Sequence, residues 1–160
     1  MKAVIQRVNG ASVSVDDVLK GRIDSGLLAY IGVARNDSQK DADWLSEKIA
    51  NLRIFNDELG KMNLSLNDLT LASSHNIKES RVIGVLAISQ FTLLADARKG
   101  RRPSWNAAAP PETAKQLYEY LISSIKNRGL ICESGEFQAR MSVTYTNDGP
   151  VTIILDSNEK

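Results

Sequence analysis

"KAVIQRVNGASVSVD", residues 2–16, decides how the chain begins to fold. KAVIQRV and ASVSV each place apolar residues at strand spacing, and Asn9-Gly10 between them is the strongest short-range hairpin signal. The spacing therefore predicts two strands joined at Asn9-Gly10. Working outward, GRIDSGLLAYIGV (21–33) is punctuated at Ser25-Gly26, and 27–33 is nearly all apolar, as in a strand buried on both faces. The first 33 residues read as a β-meander.

Beyond residue 37 the period changes. Ser38 and Asp41 form a capping box with Asp in place of Glu, and Leu45, Ile49 and Leu52 recur at helical spacing, predicting a helix over 40–52. RIF (53–55) reads as a short strand, followed by a loop at Asn56-Asp57 and Gly60 and then a turn of helix within KMNLSLNDL. SSHNIKES (73–80) reads as a polar loop, and RVIGVLAISQFTL (81–93) as a central strand. PPETAKQLYEYLISSIKNRG (110–129) is an amphipathic helix: Pro110-Pro111 open it, Gly129 follows it, and Ala114, Leu117, Tyr118, Leu121, Ile122 and Ile125 share one face. ARMSVTYT and VTIILD are two further strands, with Gly149-Pro150 as a turn between them and SNEK (157–160) as a frayed end.

The 160 residues fit a single domain over 1–160, and a formal net charge of +1 makes any polyanion site local. One cysteine, Cys132, excludes an internal disulfide, and with His75 alone beside it no His/Cys zinc site can be built. No secretory or membrane-spanning signal is visible, so the expected location is cytoplasmic. His75 reads as ordinary surface and Cys132, in an apolar "LIC", as a buried thiol. No nucleophile elbow, P-loop, dinucleotide fingerprint or zinc-protease motif occurs.

Two stretches stand apart from the scaffold. Ser89, Gln90 and Thr92 interrupt the end of the most apolar strand, where backbone N–H groups become available to a ligand. Directly after it, Arg98, Lys99, Arg101 and Arg102 set four cations in five residues, a local complement to phosphate. Trp105 is read as packing rather than stacking on a base. The second stretch is NDGPVT, preceded by GEFQARM, in which alternation places Phe137 and Met141 on one face of a strand.

Taken together, KAVIQRV with ASVSV, LRIF with GKMNLS, SQFTL, RKGRRPSWNAAAPPE and NDGPVT resemble the D-aminoacyl-tRNA deacylases, in order, over nearly the whole chain. The resemblance implies an α+β fold, a mostly antiparallel, barrel-like sheet with two main amphipathic helices. It also implies a homodimer that needs no cofactor or metal and hydrolyses the ester of D-aminoacyl-tRNA and of glycyl-tRNA. The implied pocket lies at the dimer interface, with Ser89, Gln90, Phe91, Thr92 and Leu93 of one subunit facing a cis Gly149-Pro150 of the other. Arg7 would brace that segment, Phe137 and Met141 would meet the adenosine, and the 98–102 cations would meet tRNA phosphate.

Catalysis then has two forms. Either Thr92 is the nucleophile, or N–H groups near Phe91 and Thr92, with Gln90 beside them, hold an oxyanion while water attacks with help from the ribose 2′-OH. Where many relatives read G-x-F-G-A-x-M, this chain has GEFQARM, so Gln138 replaces a glycine. Two other functions fit the residues: a deacylase for misacylated L-aminoacyl-tRNA with a trans Gly-Pro, and a non-enzymatic nucleic-acid-binding module.

Overall fold

A computed structural model describes residues 1–74 and 81–159; His75, with most of the 73–80 loop, lies outside the described residues. The elements are β1 (Lys2–Val15), β2 (Val18–Ile23), β3 (Ser25–Gly32), α1 (Gln39–Asn51), β4 (Phe55–Asn56), β5 (Met62–Leu64), α2 (Leu66–Ser74), β6 (Ile83–Ser89), α3 (Pro111–Asn127), β7 (Ile131–Ser134) and β8 (Met141–Asp156). The main sheet runs β2-β1-β3-β6-β7, with β8 added on β1. The β1 pairings are antiparallel, whereas β3–β6 and β6–β7 are parallel. The sheet curls until β2 approaches β7: a Cβ on Gly21 would lie 3.0 Å from the Ser134 carbonyl oxygen. The result is a nearly closed, barrel-like α+β fold.

The opening stretch folds differently from its sequence reading. Asn9-Gly10 does not turn the chain: β1 passes straight through it, and Gly10 (φ +89) marks a bulge where the register with β8 shifts between Val8 and Ala11. The hairpin turn lies instead at Asp16-Asp17, both in the left-handed region at φ 48 and 62. A left-handed residue serves a bulge as readily as a hairpin, so the Asn-Gly signal fixed the backbone conformation but not its use. Consequently β1, the centre of the structure, pairs with β2, β3 and β8, and the expected meander is replaced by a hub.

The end of the chain differs in the same way. The two strands read on either side of Gly149-Pro150 are one strand, β8. Opposite the step from Gln6 to Val8, β8 advances from Thr152 back to Asn147, so residues 148–151 bulge out of the ladder. A proline needs no ladder donor there. Asn147 spans the bulge, its Nδ2 donating to the carbonyls of Arg7 (2.9 Å) and Val151 (3.2 Å). Residues 157–159 form a 3-10 turn in which buried Ser157 donates its N–H to the Met1 carbonyl, rather than fraying.

Two cores follow from strand alternation. On the outer face, Ala3, Ile5, Leu27, Ala29, Ile31, Val85 and Ala87 pack against Leu45 and Ile49 of α1 and Leu117, Leu121 and Ile125 of α3. Inside the curl, Val8, Val13, Ile23, Leu28, Leu86 and Ile88 fill the space. β3 is thus buried on both faces, as its run of apolar residues implies. Each buried Val, Leu or Ile among them contributes about 1.5–3 kcal/mol. α1 begins with the expected box, the N–H and hydroxyl of Ser38 donating to Asp41 at 2.9 and 2.8 Å. Ser65 and Asp68 repeat it (2.8 and 2.7 Å), which is why α2 is a full helix and not the single turn read from KMNLSLNDL.

Candidate active site

β6 ends at Ser89, and the Gln90 N–H makes a last sheet bond to the Ile31 carbonyl at 2.7 Å. The chain then tightens into a 3-10 turn, Phe91–Leu94. The first N–H groups of a helical turn have no partner within it, and those of Phe91 and Thr92 bond to nothing among the described residues. Gln90 Nε2 donates to Thr92 Oγ1 at 2.6 Å. Phe91 is 58% exposed and meets Trp105 edge-on, ring centroids 5.6 Å apart, so Trp105 packs.

This turn is one wall of a pocket of about 560 Å³. Ser89, Gln90 and Phe91 line it, as do Phe137 and Met141 from the approach to β8. Thr92 and Leu93 do not line it, and neither do Gly149 and Pro150 of the same chain. Phe137 lies in the turn before β8, not on a strand with Met141. The third wall escaped the sequence reading: Ala108, Ala109, Pro111, Ala114 and Tyr118 bring the start of α3 against the cavity. The run of alanines before Pro110-Pro111 was its available signal, since small side chains leave room beside a helix end. Gln138, too, lines the pocket.

Among the described residues, the lining contains no acidic, basic, histidine or cysteine side chain. The one ionisable group among these described residues is the Tyr118 phenol, which donates to the Ala87 carbonyl at 2.8 Å and is pushed well above the usual tyrosine range by burial. No cluster of three or more His, Cys, Asp or Glu suited to a metal occurs among the described residues. The groups the described residues offer here are backbone donors, hydroxyls and amides.

Arg7 projects from β1 and is 7% exposed. Its Nη1 donates to the Ile54 carbonyl at 2.5 Å, and Nε sits 3.0 Å from Asp148 Oδ2 without the alignment of a hydrogen bond. A Cβ at position 149 would lie 2.9 Å from Arg7 Nη2, and the φ of +117 is one that glycine tolerates best, so the guanidinium and Gly149 are fitted to one another. The Gly149–Pro150 peptide is cis, and both residues are exposed.

The basic loop is closed by Asp96 and Ser104, which exchange backbone hydrogen bonds at 2.8 and 3.0 Å, with Gly100 (φ +73) near its tip. Arg98 is not free: its Nε and Nη2 grip the Asp96 carboxylate at 2.8 and 2.7 Å, holding that carboxyl far below its ordinary range. Lys99, Arg101 and Arg102 are exposed, with no ion pair or hydrogen bond among the described residues.

A family model described as D-Tyr-tRNA(Tyr) deacylase matches residues 4–156. The chain belongs to this family. A relative from Koribacter versatilis (strain Ellin345), named D-aminoacyl-tRNA deacylase, is 52% identical over 160 residues, covering 100% of this chain and 99% of its own. One of the same name from Thermosipho africanus (strain TCF52B) is 50% identical, covering 99% of both. Among solved structures, one described as "c-Myc DNA Unwinding Element Binding Protein" superposes with a TM-score of 0.84 at 36% identity, covering 98% of each chain. Another, described as a "probable eukaryotic D-amino acid tRNA deacylase", gives 0.80 at 14% identity over 96% of this chain and 97% of that one, and shares the fold. Membership accounts for the motif order, and the family's members are hydrolases by name.

Proposed function

We propose that the chain hydrolyses the ester between a D-amino acid and the 3′-terminal adenosine of tRNA, as a homodimer in which Gly149-Pro150 of one protomer enters the partner's pocket. The observation that carries this reading is a pocket that, among the described residues, has no acid, base or thiol and is walled by a turn whose leading N–H groups are unpartnered. An aminoacyl ester is reactive enough to be cleaved by positioning and charge stabilisation alone. Water attacks the ester carbonyl, the Phe91 N–H on the pocket wall holds the oxyanion with the Thr92 N–H next to it at the pocket's edge, and the bond from the carbonyl carbon to O3′ breaks as the ribose oxygen takes up a proton, the neighbouring 2′-OH assisting. One oxyanion donor of this kind is worth about 10²–10³ in rate.

Selectivity rests on the carbonyls flanking Pro150 receiving the substrate's α-ammonium, while the ring and backbone fill the space an L side chain needs. Glycine has no side chain to exclude and passes. Support comes from the exposure of Gly149 and Pro150, the bracing of that bulge by Arg7, and the position of β8 at the sheet margin, where Ile154 is 75% exposed. Lys99, Arg101 and Arg102 take the tRNA phosphates.

The deciding experiment is hydrolysis of D-Tyr-tRNA, L-Tyr-tRNA and Gly-tRNA by the purified protein, with its mass in solution measured alongside. D-Tyr and Gly esters are cleaved and L-Tyr-tRNA is spared by a dimer; equal rates on D and L sink the selectivity argument. Thr92→Ala retains most of the activity, because Thr92 Oγ1 lies off the pocket wall with only an amide for a neighbour. Removing the terminal 2′-OH costs more, and an acyl group trapped on Thr92 reverses this assignment. The three cations without partners among the described residues and the DNA-binding name of one structural neighbour favour a second reading, a nucleic-acid-binding module, which predicts binding with no ester cleavage.

A further inference from the structure

Gln138 holds a left-handed backbone, φ +64, in the turn that precedes β8, where the Ala139 N–H closes on the Glu136 carbonyl at 3.3 Å. Asparagine and aspartate visit this region with local hydrogen bonds; glutamine has no such help, and the conformation costs about 1–2 kcal/mol. A glycine would hold the same turn without that cost. An outlier kept at a pocket wall points to a use for the side chain.

Its surroundings narrow that use. Of the polar side chains lining the pocket, Gln90 is committed to Thr92 and Tyr118 to the Ala87 carbonyl. Ser89 and Gln138 are left without partners among the described residues, and of these two Gln138 offers a donor and an acceptor side by side. Immediately next to it stands the half-buried ring of Phe137, 6.1 Å from that of Tyr118, followed by Met141 and Val143, a flat apolar wall. A planar ligand with one polar edge fits this pairing of wall and amide. A carboxamide matches the N6/N7 edge of adenine with two hydrogen bonds.

We propose that Gln138 reads the base of the substrate's terminal nucleotide, its carboxamide pairing with the adenine edge while Phe137 supports the ring. The inference rests on the deacylase reading, which supplies the adenosine. It assigns to Gln138 a specificity role in base recognition, separate from the chiral selection ascribed to Gly149-Pro150. The amino-acid side chain is the poorer candidate for this amide, because the chiral selection proposed above acts on the configuration at Cα and needs no directional contact to the side chain.

The test uses two non-hydrolysable amides, 3′-deoxy-3′-(D-tyrosylamino)adenosine and its inosine counterpart, which replaces the N6 donor by a carbonyl. Binding of each to the wild-type protein and to Gln138→Gly is measured by calorimetry, alongside wild-type hydrolysis of D-Tyr-tRNA. The wild type prefers the adenosine analogue by about ten-fold, the lower range for such a pair at an exposed site. Gln138→Gly, which keeps the fold because glycine accepts the left-handed turn, binds the two within about two-fold of each other. Absence of a preference in the wild type, or its persistence in Gln138→Gly, overturns the inference; if D-Tyr-tRNA is still cleaved, the deacylase reading survives. A wild type that neither cleaves D-Tyr-tRNA nor binds either analogue removes both.

Discussion

Cys132 shows how burial alone sets a residue's chemistry. It is 2% exposed on β7, and desolvation of the thiolate pushes its thiol from an ordinary 9.0 up to about 12. Above pH 9 the unfolded chain loses this proton while the folded chain keeps it, so the contribution to stability is full below pH 9 and is lost as pH rises towards about 12. Urea midpoints measured at pH 8 and pH 11 therefore fall less for Cys132→Ala than for the wild type, and native Cys132 alkylates far more slowly than unfolded protein at pH 8.5. The inert thiol was legible in the apolar "LIC". Gln138 was legible only as a departure from a glycine pattern; its left-handed backbone, which depends on how the 135–140 turn enters β8, was not.

At the scale of elements, what the sequence conveyed was the conformation of single residues, and what it withheld was their partners. Asn9-Gly10 and Gly149-Pro150 were both read as chain reversals because left-handed glycine and proline are commonest there; both sit in bulges of the β1–β8 pair, which only the long-range register reveals. The helices, whose signals are local, were read well apart from the second capping box at Ser65. Glycine tests the distinction. Gly26 (φ +129) faces Gly84 across the parallel β3–β6 pair, and a Cβ there would lie 2.0 Å from the Gly84 carbonyl oxygen. Gly26→Ala lowers the free energy of unfolding by at least about 3 kcal/mol, combining overpacking with a strained backbone. Gly10→Ala, with open space around its Cβ at φ +89, loses only about 1 kcal/mol in the same urea titration.

Across the whole molecule, a formal charge of +1 leaves recognition of a polyanion to a patch. The four cations of the 98–102 run look equivalent in sequence, yet Arg98 is tied to Asp96 and the other three have no partner among the described residues. Lys99→Ala, Arg101→Ala and Arg102→Ala each weaken tRNA binding and lower the slope of log affinity against log salt by up to about 1. Arg98→Ala leaves that slope nearly unchanged. The pocket wall carries a last consequence. With no acid, base or thiol along it among the described residues, the wall offers no group of its own to switch the reaction on between pH 6 and 9. The pH–rate profile then belongs to the substrate: activity follows the protonation of the aminoacyl group's own amine, and changing the esterified amino acid shifts the curve while point mutations around the pocket leave its midpoint in place.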